Sequence, residues 1–196
     1  MQITILGKSP AWPDAGGACS GYLVRHDGYT LLVDCGNGVF GKLREHADYI
    51  DVDAVVLSHM HADHCLDLIP YAYALTYAQR QQPVPVGGYP GTDSPARPEL
   101  HVPPDGTEIL TTLSGLWGAP DLVANAFHLS EYDPAAALEL GPLRLRFGLV
   151  PHYIPTYAIE VTPAAGGPRL VYGADCSPND ELVEFGWWSF SRGAGY

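Results

Sequence analysis

Ala54-Val55-Val56-Leu57-Ser58-His59-Met60-His61-Ala62-Asp63-His64 runs a short apolar segment directly into four side chains of the kind that bind metal ions. Residues 54–57 form a continuous apolar run too short for a helix, which reads as a buried strand. Loops at the ends of such strands are where chemistry is mounted on a rigid scaffold. His59, His61, Asp63 and His64 fall within six residues, and the whole chain has only 8 His. A polar loop that is rich in histidine by chance is the alternative, and that clustering argues against it. Imidazole and carboxylate together suit zinc, with Mn and Fe also compatible. If the segment is extended, positions 59, 61 and 63 point one way and 64 another. That pattern suits two adjacent ions, with His59 and His61 on the first and Asp63 and His64 on the second.

Upstream, Gln2 to Leu6 alternates and reads as a strand, followed by a loop over Gly7 to Gly17. Ser20 to Arg25 and Tyr29 to Asp34 read as two strands joined by a hairpin at His26-Asp27-Gly28. Val39 to His46 is a short helix. Downstream, Asp67 to Gln81 is a helix candidate, and Pro83 to Pro104, with seven prolines, reads as loop. Thr107 to Trp117 reads as a helix facing the site. Leu143 to Val150 alternates as a strand, and Thr156 to Thr162 pairs with Arg169 to Tyr172 across a turn at Pro163 to Pro168. These elements predict a layered α/β (α+β) fold with mostly antiparallel sheets rather than a regular βαβ alternation.

The 196 residues suit one domain, and 46% hydrophobic with 16% charged residues is enough for a sizeable core. The net charge is −12, with only 10 Lys+Arg and no basic run, which disfavours broad nucleic-acid binding. Cys19, Cys35, Cys65 and Cys176 form no CxxC pair and no disulfide framework. The N-terminus has neither signal-peptide character nor an apolar run long enough to span a membrane. A cytoplasmic protein that does not engage membranes is expected.

The HxHxDH run behind a short buried strand resembles the signature of the metallo-β-lactamase superfamily. Asp34, at the end of Leu31-Leu32-Val33-Asp34, matches the family's first motif, whose aspartate supports the metal loop from behind. Val150-Pro151-His152-Tyr153-Ile154-Pro155-Thr156-Tyr157 resembles the third motif, which implies that His152 completes the first ion's ligands. Tyr172-Gly173-Ala174-Asp175 resembles the fourth, which implies that Asp175 bridges both ions. Leu6-Gly7-x-Ser9-x-x-x-Pro13 and His152-x-x-Pro155-x-Tyr157 are most similar to the ribonuclease Z branch. The resemblance covers residues 2–185 and implies an αββα sandwich.

Two departures from that branch stand out. Ribonuclease Z proteins carry a tRNA-binding arm between the third and fourth motifs, whereas 22 residues separate His152 from Asp175 here. The family also uses a late histidine in a His-x-Ser-like segment, and no His follows His152. The expectation is therefore a metallo-β-lactamase-like domain over 1–185, incomplete at its C-terminus, with an atypical tail over 186–196. The implied activity is a metal-dependent hydrolase of a phosphodiester or small ester. It would use a metal-bound hydroxide that Asp63 orients, with zinc, most simply two ions, as cofactor. Ribonuclease Z-type tRNA 3′ processing and a non-enzymatic fragment are the alternatives. A homodimer is compatible with an unfinished sheet edge.

Other residues read more plainly. Cys65 and Cys176 follow proposed ligands, but free cysteine is usually a buried small hydrophobe. Trp117, Trp187 and Trp188 read as core or terminus rather than pocket. His26, His46, His101 and His128 read as surface or loop residues, and Asp67 and Asp93 as surface or capping residues. Neither Ser9 nor Ser20 sits in a Gly-x-Ser-x-Gly turn, so neither reads as a nucleophile.

Overall fold

Two β-sheets face one another in the computed structural model, which describes the backbone of residues 1–192 and the side chains of residues 1–186. The first sheet has six strands in the order β1 (Gln2–Gly7), β2 (Gly21–His26), β3 (Tyr29–Val33), β4 (Ala54–Val56), β5 (Glu99–Val102), β6 (His128–Glu131). β1, β2 and β3 pair antiparallel, and β3 to β6 pair parallel. The second sheet is antiparallel throughout, in the order β10 (Leu170–Tyr172), β9 (Thr156–Pro163), β8 (Leu143–Val150), β7 (Leu138–Leu140).

Side-chain alternation separates two cores. Leu32, Val55 and Leu57 point to a helical layer made of α1 (Val39–His46), α3 (Leu68–Tyr77), α4 (Gly106–Gly115) and α5 (Leu122–Ala126). Leu31, Val33, Ala54 and Val56 point instead to Leu143, Leu145, Phe147, Ile159 and Val161 of the second sheet. Both faces of β3 and β4 are thus buried, which explains their unbroken apolar sequence. The β2–β3 hairpin turns at Asp27 and Gly28, both left-handed, a geometry that matches the twist of the strands.

The outer face of the second sheet is covered by α6 (Asp180–Arg192), which packs on β8. A Cβ at Gly148 would lie 2.6 Å from the Phe185 ring, so glycine permits that approach. Glu160, buried in β9, sits between Arg146 (3.6 Å) and Arg169 (3.5 Å), and Arg169 also donates to the Gly186 carbonyl. The layers therefore run α, β, β, α. No helix among the described residues is long and apolar enough to cross a membrane.

Several sequence expectations need correction. The proline-rich stretch read as loop contains β5, a central strand of the first sheet. Three of the first sheet's five pairings are parallel, because α1, α3 and the pair α4–α5 each return the chain to the same side between strands; the mostly antiparallel reading holds for the second sheet only. The helix expected over Asp67 to Gln81 runs from Leu68 to Tyr77 and continues as a separate 3₁₀ turn at Gln79–Gln81. α4 packs on α5 and β6, and its N-terminus, at Gly106, comes close to Met60 of the motif. The tail expected over 186–196 overlaps α6, and the side chains from Trp187 onward, Trp188 included, lie outside the described residues.

Candidate metal centre

The motif enters at the end of β4 and stays extended as far as His61, which caps the short helix α2 (Ala62–Cys65). The expected alternation of 59, 61 and 63 therefore stops at 61: a helical turn carries Asp63 round beside His64. Backbone at the start of β2 and just past the end of β3 clamps this turn. Ser20 N–H donates to the Asp63 carbonyl (3.1 Å) and Cys35 N–H to the His64 carbonyl (2.8 Å). Gly36 lies so close that a Cβ there would fall 1.8 Å from the Asp63 oxygen.

Three imidazoles converge. His61 Nδ1 is 3.2 Å from His59 Nε2 and 3.0 Å from His152 Nε2. His152 arrives from the loop between β8 and β9. A second cluster adjoins it, where His64 Nε2 faces Asp175 Oδ1 at 3.3 Å and Asp63 Oδ2 at 3.6 Å. The His59 and His64 rings lie 4.0 Å apart, and His59 belongs to both ligand-competent groups, His59–His61–His152 and His59–His64–Asp175. Asp175 follows Ala174, a non-glycine residue held at φ 53°, on the loop after β10. Ser177 N–H donates to the Pro151 carbonyl and ties the two loops together.

Asp34 lies behind both clusters, fully buried. Its Oδ1 accepts from Ser58 N–H (2.7 Å); its Oδ2 accepts from Ser58 Oγ (2.8 Å), His64 Nδ1 (2.7 Å) and Tyr172 Oη (2.8 Å). With its own proton given to Asp34, Ser58 Oγ can accept from His59 Nδ1 at 3.0 Å. Both histidines then carry a proton on Nδ1 and turn Nε2 to the centre; the proton positions are inferred from this network. Burial first, and then the neighbouring His64, holds His59 down to about 3, so its ring is neutral. For Asp34, burial opposes ionisation, but His64 and the Ser58 donors outweigh it and lower its pKa.

The donor set passes a chemical test for cations. His64 Nε2 is buried and has no hydrogen-bond partner, yet it faces two carboxylates. A bare lone pair aimed at carboxylate oxygens is repulsive, so the site calls for positive charge at this point, either a proton on Nε2 or a cation; burial opposes charge on His64, but Asp34, Asp175 and Asp63 raise its pKa. Neutral imidazoles and carboxylates are the ligands that zinc and related divalent ions take.

Beside the clusters opens a cavity of about 620 Å³ lined by Pro151, His152, Tyr153, Ala174, Asp175, Cys176 and Ser177. Cys65 is buried with its Sγ on the Met60 carbonyl, and burial pushes its thiol up to about 12, so it is no ready ligand. Cys176 joins neither ligand group. Asp67 does act as a cap, but of another helix, since its Oδ2 accepts from Phe40 N–H of α1. His101 was read as a surface or loop residue; it is buried in β5, held between Glu99 (2.8 Å) and Ser130 (2.9 Å). Ser58 escaped the sequence reading, and Tyr172, quoted with the fourth motif, was given no part in the site. The serine directly before His59 and the tyrosine three residues before Asp175 were the available signals.

Fold and site define a protein of metallo-β-lactamase fold. A family model described as Anti-Pycsar protein Apyc1 matches residues 1–186, and the chain belongs to that family, within the ribonuclease Z-like branch of the superfamily. It is 32% identical over 187 residues to the probable metallo-hydrolase YhfI of Bacillus subtilis, covering 94% of this chain and 68% of that one. The crystal structure of YhfI superposes with a TM-score of 0.77 at 28% identity over 93% of this chain and 66% of YhfI. A ribonuclease Z of Methanopyrus kandleri is 30% identical over 188 residues, 93% of this chain and 59% of that protein. The chain thus spans about two thirds of the length of these relatives.

Proposed function

We propose that this chain is a metal-dependent hydrolase of phosphodiesters or small esters. His59, His61 and His152 would hold one ion, and Asp63, His64 and Asp175 a second, with zinc the first candidate. The observation that carries this reading is the unpartnered, buried His64 Nε2 facing two carboxylates. The similarity to a probable metallo-hydrolase supports it. When bound, such ions supply Lewis acidity to the scissile group and to an attacking water. The chain's own residues do the rest. Asp63 Oδ2, 3.6 Å from His64 Nε2, would take a proton from that water and orient it. Asp34 fixes the tautomers of His59 and His64, so the lone pairs are aimed before any ligand arrives.

A phosphodiester is favoured over other esters by the similarity to a ribonuclease Z. That same similarity supports a second reading, tRNA 3′ processing. Against it stand the net charge of −12 and the short hairpin between His152 and Asp175. Elemental analysis should find about two metal equivalents per chain. Bis(p-nitrophenyl) phosphate should be cleaved and precursor tRNA left intact. Absence of both bound metal and cleavage would sink the proposal; tRNA cleavage would favour the second reading.

A further inference from the structure

Tyr153 is 93% exposed, the highest exposure of any large hydrophobic side chain among the described residues. A single exposed ring is ordinary on a protein surface; this one is set apart by its place, shared by two cavities at the mouth of the site. Its neighbours make that position specific. Tyr153 directly follows His152, and the two rings meet edge-on with centroids 5.2 Å apart. It stands between the 620 Å³ cavity that holds His152 and Asp175 and a second cavity of about 490 Å³ lined by Leu149, Ile154 and Pro155 among others.

The loop is also stiff. Prolines flank it at 151 and 155, Thr156 Oγ1 donates to the Ile154 carbonyl (3.0 Å), and Ser177 N–H fastens Pro151 from the opposite loop. A ring presented on such a loop loses little conformational freedom on binding.

We infer that Tyr153 is a specificity-determining residue that stacks on an aromatic group carried by the substrate, next to the scissile phosphate. The inference rests on the phosphodiesterase reading above. The clusters and carboxylates beside the ring recognise only the anionic centre. They do not distinguish one ester arm from another, so selectivity between aryl and alkyl arms falls to Tyr153.

The test uses the full chain loaded with zinc, titrated calorimetrically with phenylphosphonate and with methylphosphonate. Removing an aromatic platform from a stacked base weakens binding on the order of five- to a hundredfold. The phenyl compound should bind about tenfold more tightly than the methyl one. Tyr153→Ala should erase that preference, and Tyr153→Phe, which keeps the ring, should retain it. An unchanged ratio in Tyr153→Ala overturns the inference, as does failure of both phosphonates to bind. A change in oligomeric state on size exclusion with no change in ratio also overturns it, since the ring would then be covered by a second chain. Cleavage of bis(p-nitrophenyl) phosphate by the unmodified protein is run alongside. Cleavage with an unaffected ratio removes the Tyr153 inference alone; no cleavage removes the hydrolase reading, and the phosphonate ratio still decides the role of Tyr153.

Discussion

Asp34 Oδ2 and His64 Nδ1 meet at 2.7 Å, and both side chains are fully buried. The carboxylate accepts four hydrogen bonds in all, and through Ser58 it reaches His59 as well. One residue on β3's end therefore sets the proton position on a histidine of each cluster. Asp34 is held there at φ 57°, a conformation that non-glycine residues rarely adopt and that aspartate tolerates better than most.

Asp34→Asn should expose this dependence. The amide keeps the shape but replaces an acceptor oxygen with an NH₂ facing the donors Ser58 Oγ–H, His64 Nδ1–H and Tyr172 Oη–H. Metal affinity should fall about 10- to 100-fold, as for other groups that orient metal ligands from behind. Competition with a chromophoric chelator measures it. Tyr172→Phe removes one donor of the four and should cost less than the amide does.

The motif region was legible because its signal is local: an apolar run meets ligand-type residues within six positions. His152 and Asp175 could be located through their motifs, but their distance from His61 and His64 is a product of tertiary folding. His101 was misread because a lone histidine carries no pattern. Its partners Glu99 and Ser130 are an i−2 neighbour and a cross-strand neighbour, and the second is visible only once β5 and β6 are paired in register. β5 was hidden by the prolines around it, although its four residues contain none. β6 is largely exposed, and β7, although its Leu-Glu-Leu alternates, is only three residues long, too short a pattern to read as a strand.

Gly36→Ala should damage the centre from outside it. The new Cβ would overlap the Asp63 backbone carbonyl, which cannot rotate away as a side-chain tip could. Either β3's end or the α2 turn must move, and Asp63 and His64 move with it. The expected result is a loss of stability of about 1–3 kcal/mol, the range of core overpacking. Chemical denaturation checks the stability, and metal content of the surviving folded protein checks the site.

Chelation should lower thermal stability. Three imidazole nitrogens within 4.8 Å of one another, two of the contacts at 3.2 and 3.0 Å, and a His64 Nε2 that faces Asp63 and Asp175 would lose the cation that reconciles them. A ligand that binds only the folded state stabilises it by roughly 2.7 kcal/mol at a hundred times its Kd. Differential scanning calorimetry with and without a strong chelator should show Tm falling on metal removal and returning when zinc is restored. Identical transitions would show that the clusters hold no ion in solution.

Asp63→Asn separates chemistry from assembly. The Asp63 side chain is only 10% exposed and lies 3.6 Å from His64 Nε2, but the His59–His61–His152 group does not include it. The asparagine keeps the size and the helical turn while removing the carboxylate that can take a proton. If Asp63 orients and deprotonates the attacking water, kcat on bis(p-nitrophenyl) phosphate should fall on the order of 10²- to 10⁴-fold, the usual contribution of a positioned base. KM should change less than kcat, because the His59–His61–His152 group, which Asp63 does not join, is left intact to bind the anion. Metal content is measured on the same sample, since a fall in kcat that tracks a proportional loss of metal would assign Asp63 to holding an ion rather than to the proton. A variant with full metal and undiminished kcat would remove Asp63 from the reaction altogether.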